Sequence, residues 1–340
     1  MKEKEDFKLL FNSPKRVVIT IHTNPDADAL GSGLGFSSIL KKQGHDVTVI
    51  SPNDYPDFLK WMKGNEEVVV FEHKQQESKE LINKADLIFT LDFSDLKRIG
   101  DLGELVKSAE ATKIMIDHHL EPEKYADFEK WSIEAGATAE LIFDLAEEMS
   151  WLEYIGPDEA ECLYAGIMTD TGGFRHPNTT QHIHEVVGKL IGLGANTSKV
   201  SKLIYDTNTE NRLRLMGFVL SQRLVVMKEF NVAFIYITLD DQKKFNVQKG
   251  DTEGLVNYAL SIANITMAAM FTESKDMVKI SFRSIGEFSV NTFARKNFSG
   301  GGHANAAGGK SDLSLQDTIE LFKSLVINNK QEIEDEVNAL

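Results

Sequence analysis

The sequence predicts an α/β fold: a doubly wound, mostly parallel sheet followed by a smaller second α/β domain. In the first half of the chain, short apolar runs rich in β-branched residues alternate with helical patterns, which is typical of a parallel sheet with helices on both faces. In the second half, apolar runs with the pattern of strands precede a glycine-rich stretch. We therefore expect a first domain over residues 1–195, a helical linker over 196–215 and a second domain over 216–340.

The first strand is predicted at 17–21, where four of the five residues are apolar and β-branched, as in a strand buried on both faces. A helix follows over 29–43 and ends before Gly44, because glycine commonly terminates helices. Similar patterns in this domain predict strands at 47–50, 68–71, 87–91 and 112–116, and helices at 75–84, 137–149, 158–168 and 180–193.

A helical pattern over 197–220 is interrupted near 206–209, and we place the domain boundary in this region. Beyond it, the apolar runs and helical patterns predict strands at 232–239, 266–272 and 277–283, and helices at 254–262, 290–296 and 314–327. Residues 299–309 contain five glycines and are expected to form a loop.

The composition is that of a soluble globular protein, with 42% hydrophobic and 26% charged residues among 340. No apolar run is long enough to span a bilayer and the N-terminus has no signal-peptide core, so we expect a cytoplasmic protein that does not bind membranes. The net charge of −15 argues against a broad basic surface that binds duplex nucleic acid. The single cysteine, Cys162, excludes an internal disulfide and is expected to be buried.

Acidic and imidazole side chains collect at the predicted strand ends and at one glycine turn. Because ligands bind outside the carboxyl ends of parallel strands, these positions predict a metal site. Carboxylates and imidazoles without thiolates suit Mn²⁺ or Mg²⁺, and Zn²⁺ or Co²⁺ also fit by ligand type. The number of ligands exceeds the need of one ion, which indicates two metals that share a carboxylate. The candidates are His22, Asp26, Asp28, Asp92, Asp117, His118, His119 and Asp170.

Simpler roles exist for the same residues. Asp26 and Asp28 could cap the next helix, the paired histidines could be surface residues, and Asp92 could close a turn. The glycines of 31–35 lack the G-x-G-x-x-G spacing of a dinucleotide site, so close packing of the helix against the sheet explains them better. The glycine run at 299–309 is different, because successive backbone N–H groups in such a loop can bind an anion.

The motifs together resemble the DHH/DHHA1 phosphoesterase family. They are HTNPDAD at 22–28 with Gly31 and Ser32, Asp92 in TLDFSD, DHH at 117–119, Asp170 in GIMTDTGGFR, and GGGHANAAG at 300–308. They occur in the family's order and extend over most of the chain. The resemblance implies a DHH domain, a helical linker and a DHHA1 domain.

The resemblance also implies the role of each site residue and two Mn²⁺ ions, with Mg²⁺ or Co²⁺ as alternatives. One ion would be held by His22, Asp26 and Asp92, and the other by Asp28, Asp92, His118 and Asp170. Asp117 would orient a ligand histidine, and His119 would assist proton transfer at the reacting phosphate. Substrate would be bound by the second domain through Arg283, Gly301, Gly302 and His303.

With the compact two-domain length, the resemblance implies hydrolysis of short single-stranded oligoribonucleotides to mononucleotides and of 3′-phosphoadenosine-5′-phosphate to AMP. The resemblance also implies a homodimer. The alternative is a phosphodiesterase for linear or cyclic dinucleotides such as pApA, pGpG and cyclic-di-AMP. A family II pyrophosphatase fits the second domain less well. Two further hypotheses are a nucleotide-binding regulator without catalysis, which the intact ligands disfavour, and a processive single-strand nuclease, which the acidic composition disfavours.

Overall fold

The computed structural model describes residues 4–248 and 250–335. The chain divides into two units, an N-terminal unit of Met1–Thr207 and a C-terminal unit of Asn208–Leu340. The division falls between two helices, inside the span that the sequence analysis assigns to the linker.

The N-terminal unit is built on a six-stranded sheet in which every pairing is parallel. The strand order is β3-β2-β1-β4-β5-β6, so the order reverses direction between β1 and β4. The predicted doubly wound parallel sheet is confirmed. The strands are β1 (Arg16–Ile21), β2 (Asp46–Ser51), β3 (Val69–Val70), β4 (Leu87–Leu91), β5 (Thr112–Asp117) and β6 (Phe128–Trp131).

Helices cover both faces of this sheet because its central strands alternate between two cores. In β1, the side chains of Val17 and Ile19 enter the larger core, whereas Val18 enters the core on the opposite face. The larger core also contains the buried thiol of Cys162. Burial raises the pKa of this thiol to about 12. The helices of this unit are α1 (Lys4–Leu9), α2 (Ala27–Lys42), α3 (Gln75–Lys84), α4 (Asp101–Ser108), α5 (Thr138–Glu148), α6 (Pro157–Asp170), α7 (Gln181–Gly192) and α8 (Thr197–Tyr205).

The C-terminal unit contains a second six-stranded sheet, in the order β11-β12-β10-β9-β8-β7. This sheet is mixed, since β8 and β9 are parallel and the other neighbours are antiparallel. Its strands are β7 (Leu224–Met227), β8 (Val232–Ile237), β9 (Met267–Glu273), β10 (Val278–Ser284), β11 (Gly301–Gly302) and β12 (Ala306–Ser311). Its helices are α9 (Glu210–Gln222), α10 (Leu239–Lys244), α11 (Leu255–Leu260), α12 (Val290–Asn297), α13 (Leu315–Asn328) and α14 (Lys330–Asp335).

Two parts of the chain differ from the sequence-based expectation. The short strands β6 and β7 were not predicted, because each has only four residues and none of these residues is buried. The glycine-rich stretch is a hairpin of β11 and β12 rather than a loop, since glycines lack the side chains from which strands are predicted. Within the residues that the structure describes, no helix is long and apolar enough to cross a membrane.

Candidate metal centre

The candidate ligands lie at the carboxyl ends of three adjacent strands, β1, β4 and β5, at the start of helix α2 and at the end of helix α6. His22 directly follows β1, Asp92 directly follows β4, and Asp117 is the last residue of β5. The gap between β1 and β4 is the point at which the strand order reverses, where α/β sheets commonly bind their ligands. The topology therefore brings together side chains that lie nearly one hundred residues apart in the sequence.

Asp92 occupies the middle of the centre, with one carboxylate oxygen toward each of two histidines. Its Oδ2 lies 3.3 Å from Nε2 of His22, and its Oδ1 lies 3.5 Å from Nε2 of His118. The side chain is 1% exposed and the backbone has a φ of 67°, in the left-handed region. Such a conformation is uncommon outside glycine and concentrates at functional sites. This carboxylate has the position of a group shared by two cations.

The first ligand group consists of His22, Asp26 and Asp92. Oδ2 of Asp26 lies 3.8 Å from Nε2 of His22. The other oxygen of Asp26 accepts hydrogen bonds from the backbone N–H groups of Asp28 and Ala29, and Asp26 is the N-cap of α2. Asp26 therefore caps the helix with one oxygen while the other faces the centre, so the two roles considered for it are compatible.

The second ligand group consists of Asp28, Asp92, His118 and Asp170. Nε2 of His118 lies 3.8 Å from Oδ2 of Asp28 and 3.2 Å from Oδ2 of Asp170. Asp28 accepts two further hydrogen bonds, from the N–H of Thr138 at 2.6 Å and the N–H of Ala139 at 2.9 Å. Both N–H groups belong to the first two residues of α5, which have no acceptor within the helix. Asp28 is therefore held by the N-terminus of α5.

Small residues let α2 and α6 approach closely enough for Asp28 and Asp170 to meet. A Cβ on Gly31 of α2 would lie 2.4 Å from the carbonyl oxygen of Cys162, and a Cβ on Gly166 would lie 2.5 Å from Oδ1 of Asp28. Gly166 stands four residues before Asp170, on the same face of α6. Gly31 therefore serves close packing against α6 and not against the sheet, whereas a Cβ on Gly33 would lie 3.1 Å from Ile21 of the sheet, as expected.

Several carboxylates of the centre lie close together, and those of Asp28 and Asp92 are buried. Burial, together with Asp92 and Asp170, raises the pKa of Asp28 well above its usual range. Burial also raises the pKa of Asp170. For His118, burial opposes protonation, but Asp170 and Asp92 raise its pKa well above the ordinary value. Divalent cations would relieve this repulsion between carboxylates, and the donor set of carboxylates and imidazoles suits Mn²⁺ or Mg²⁺.

Asp117 contacts His119 and not His118. Oδ1 of Asp117 lies 2.7 Å from Nδ1 of His119, and both side chains are buried. Nδ1 of His118 instead lies 3.1 Å from the carbonyl oxygen of Ala135. This differs from the expectation that Asp117 orients a ligand histidine. The physical reason is that successive side chains of an extended chain alternate in direction, so residues 117 and 119 share a side.

The residues expected to bind substrate lie in the C-terminal unit. Arg283 is on β10, on the face opposite the core residues of that strand, and pairs across the sheet with Ala306. Gly301 and Gly302 form β11, and the N–H of His303 donates to the carbonyl oxygen of Ala306 in the turn. The structure thus brings the hairpin turn and the end of β10 into one corner of the sheet.

Several residues that contact the centre were missed by the sequence analysis. Thr138 is fully buried, and its Oγ1 donates a hydrogen bond of 2.8 Å to Oδ1 of Asp92. Nδ2 of Asn178 donates to the carbonyl oxygens of Gly136, at 3.0 Å, and Asp170, at 3.4 Å. Neither residue follows a predicted strand. A signal for Thr138 was its place at the start of a predicted helix, whereas Asn178 had none.

Two family descriptions match the chain. "DHH family, N-terminal domain" matches residues 16–167, and "DHHA1 domain" matches residues 230–329. The fold and these matches define a two-domain hydrolase that acts on phosphoester bonds. The chain belongs to the DHH/DHHA1 phosphoesterase family.

Individual relatives cover most of the chain. The bifunctional oligoribonuclease and PAP phosphatase NrnA of Bacillus subtilis is 29% identical over 86% of this chain and 88% of its own. The cyclic-di-AMP phosphodiesterase PdeA of Listeria monocytogenes is 27% identical over 93% of this chain but only 48% of its own. A solved structure of an exopolyphosphatase-related protein from Bacteroides fragilis is 39% identical, with a TM-score of 0.93 and 97% of each chain covered.

Proposed function

We propose that this protein hydrolyses short single-stranded oligoribonucleotides to mononucleotides and 3′-phosphoadenosine-5′-phosphate to AMP, with two Mn²⁺ ions as cofactors. The observation that carries the proposal is the position of Asp92, whose two oxygens each face a different histidine at 3.3 and 3.5 Å. The similarity to the NrnA protein of Bacillus subtilis, at nearly full length of both chains, supports the substrate class.

The residues present fit two divalent cations. His22, Asp26 and Asp92 would hold one ion, and Asp28, Asp92, His118 and Asp170 would hold the other. Within each of the groups His22–Asp26–Asp92 and Asp28–Asp92–His118, the ligand atoms lie within 4.8 Å of one another. Bound cations would activate a water molecule and neutralise the charge that develops on the phosphoryl group. Mg²⁺ or Co²⁺ would be accepted by the same donors.

Asp117 and His119 would assist proton transfer beside this centre. The 2.7 Å contact with the buried carboxylate of Asp117 fixes the orientation of the imidazole ring of His119. A carboxylate beside one ring nitrogen of a histidine holds the ring in one orientation. We assign His119 the transfer of a proton to the leaving oxygen, and Asp117 its orientation.

The C-terminal unit would bind the substrate's terminal phosphate or nucleotide. Arg283 supplies a guanidinium group suited to phosphate, whereas the N–H groups of Gly302 and His303 in the hairpin already donate to Oδ1 of Asn291 and to the carbonyl oxygen of Ala306. Gly302 has a φ of 154°, and a Cβ there would lie 2.4 Å from the carbonyl oxygen of Ala306. Only glycine fits this turn, which presents His303 at the tip.

A phosphodiesterase for dinucleotides is the second candidate function. It is supported by the similarity to PdeA, which extends over 93% of this chain. Linear pApA, pGpG and cyclic-di-AMP all present phosphodiester bonds to the same centre. We rank this function second, because the chain matches less than half of PdeA and most of NrnA.

One assay separates these functions. The protein is incubated with Mn²⁺ and an end-labelled RNA ladder of two to about 24 nucleotides, and in parallel with 3′-phosphoadenosine-5′-phosphate, cyclic-di-AMP and pyrophosphate. Fast release of mononucleotides from the shortest chains, with phosphate release from 3′-phosphoadenosine-5′-phosphate, is the expected result. Turnover confined to dinucleotides would favour the second candidate, and turnover of pyrophosphate alone would exclude both.

A further inference from the structure

The segment that leads into α5 contacts three of the candidate metal ligands. We call residues 135–139 the α5 entry segment. Its Ala135 carbonyl oxygen lies 3.1 Å from Nδ1 of His118, and its Thr138 hydroxyl donates to Asp92 at 2.8 Å. The N–H groups of Thr138 and Ala139 donate to the two oxygens of Asp28. The position of this segment therefore affects both proposed cation sites.

Glu140 holds the segment in place from the first turn of α5. Its Oε2 accepts a hydrogen bond of 2.7 Å from the N–H of Gly136, and its side chain is buried, with the residue 3% exposed. The carbonyl oxygen of Gly136 is held as well, by Nδ2 of Asn178 at 3.0 Å. The N–H of Gly136 lies in the same planar peptide unit as the Ala135 carbonyl, so Glu140 fixes that unit directly, and Asn178 fixes the next one.

We propose that Glu140 is a positioning residue for the metal centre: by binding the N–H of Gly136, it fixes the Ala135 carbonyl that orients His118. With Nδ1 of His118 directed at that carbonyl, Nε2 faces Asp92 and Asp170, at 3.5 and 3.2 Å. Groups that orient a histidine ligand through its second nitrogen typically change metal affinity by about 10–100-fold when removed. This inference rests on the proposed function, because it requires that the centre binds cations.

The reach of the side chain, and not its charge, is the property that matters in this proposal. Other charged groups lie near Glu140: Nε2 of His182 is 3.8 Å from Oε1 of Glu140 and 2.8 Å from Oδ1 of Asp144. An electrostatic role for Glu140 would act through this cluster. A positioning role requires only an acceptor oxygen at the distance of Gly136, which glutamine provides and aspartate, shorter by one methylene, does not.

The test compares Glu140→Gln and Glu140→Asp, with Asp144→Ala as the matched control one turn along α5. Mn²⁺ affinity is measured by isothermal titration calorimetry on the full chain, after thermal melting shows that each variant is folded. We expect Glu140→Asp to bind Mn²⁺ about 10–100-fold more weakly. Glu140→Gln and Asp144→Ala are expected to stay within about threefold of the unsubstituted protein.

Three results would overturn the inference. Unchanged Mn²⁺ affinity in Glu140→Asp, even with a lower melting temperature, would make Glu140 a purely structural group. A loss in Glu140→Gln but not in Glu140→Asp would make its role electrostatic, and a loss in Asp144→Ala would assign the metal to the His182 cluster. If the proposed function itself is wrong, the unsubstituted protein binds no Mn²⁺. This result is distinct from the three above, in which the unsubstituted protein binds Mn²⁺.

Discussion

The two units present opposite kinds of polar group. The N-terminal unit collects carboxylates and imidazoles at the ends of parallel strands, where Asp28 and Asp92 are almost completely buried. The C-terminal unit offers a guanidinium group and a histidine near a glycine hairpin. The first arrangement suits cations and the second suits anions. The net charge of −15 therefore does not exclude a polyanionic substrate, because buried acidic groups can serve cations while a separate unit receives phosphate.

The largest effect is expected at the shared ligand of the N-terminal unit. Asp92→Asn keeps a residue that tolerates the left-handed backbone and an oxygen for Thr138, but removes the charge between the two cation sites. We expect hydrolysis of 3′-phosphoadenosine-5′-phosphate to fall by at least about three powers of ten, because charge neutralisation by the metals is worth several kcal/mol.

Turnover is measured at saturating Mn²⁺, with circular dichroism to verify that the variant is folded. A rate above one tenth of the unsubstituted rate would show that Asp92 does not hold the catalytic metals.

Removal of metal should affect the two units unequally. Chelation is expected to abolish hydrolysis, and added Mn²⁺ to restore it. At a free concentration 100 times the dissociation constant, the bound ion stabilises the folded N-terminal unit by about 2.7 kcal/mol. Hydrogen exchange that compares amides of the two units measures this difference. Equal protection of β1 and β10 by Mn²⁺ would contradict a centre built from the N-terminal unit.

A substitution in the C-terminal unit should weaken substrate binding without changing metal binding. Arg283→Ala is expected to raise KM about 10–100-fold, the range of one hydrogen-bonded charged contact, with kcat and Mn²⁺ affinity nearly unchanged. Lys279→Ala is the matched control, because Lys279 is an exposed cation on the same face of β10.

Steady-state kinetics on 3′-phosphoadenosine-5′-phosphate gives both parameters. An equal rise of KM in the two variants would indicate a general electrostatic effect instead of a specific contact.

The smallest effects concern two glycines of the C-terminal unit. Gly302→Ala forces a Cβ to 2.4 Å from the carbonyl oxygen of Ala306 at a φ of 154°, which should cost about 1–3 kcal/mol. Gly217 lies at an exposed position of α9, and no atom lies within 4 Å of a Cβ placed there. Gly217→Ala should therefore raise the free energy of unfolding by up to about 1 kcal/mol.

Urea unfolding measures both glycine variants. Destabilisation by Gly217→Ala comparable to that by Gly302→Ala would contradict the assignment of the hairpin as a sterically constrained turn.

The positions of most candidate ligands could be predicted because they follow closely on a strand with a strong apolar pattern, and Asp170 because it precedes a glycine turn. His22 and Asp92 come directly after β1 and β4, and parallel strands bring their carboxyl ends to one edge. The partner of His118 could not be predicted, because the Ala135 carbonyl is a backbone group whose place depends on the path between β6 and α5. The same holds for Glu140, whose role depends on a backbone N–H four residues earlier. The short strand β7 was not predicted, because four successive apolar residues fit a helix as well as a strand, and the pairing with β8 decides between them.

The most direct test of the account is the number and coupling of Mn²⁺ ions in the N-terminal unit. The protein is titrated with Mn²⁺ and followed by electron paramagnetic resonance, with Asp92→Asn in parallel. We predict two Mn²⁺ per chain with a spin-coupled spectrum, because one carboxylate joins the two sites, and loss of the coupled signal in Asp92→Asn. A single Mn²⁺ per chain, or two ions with uncoupled spectra, would contradict a centre bridged by Asp92.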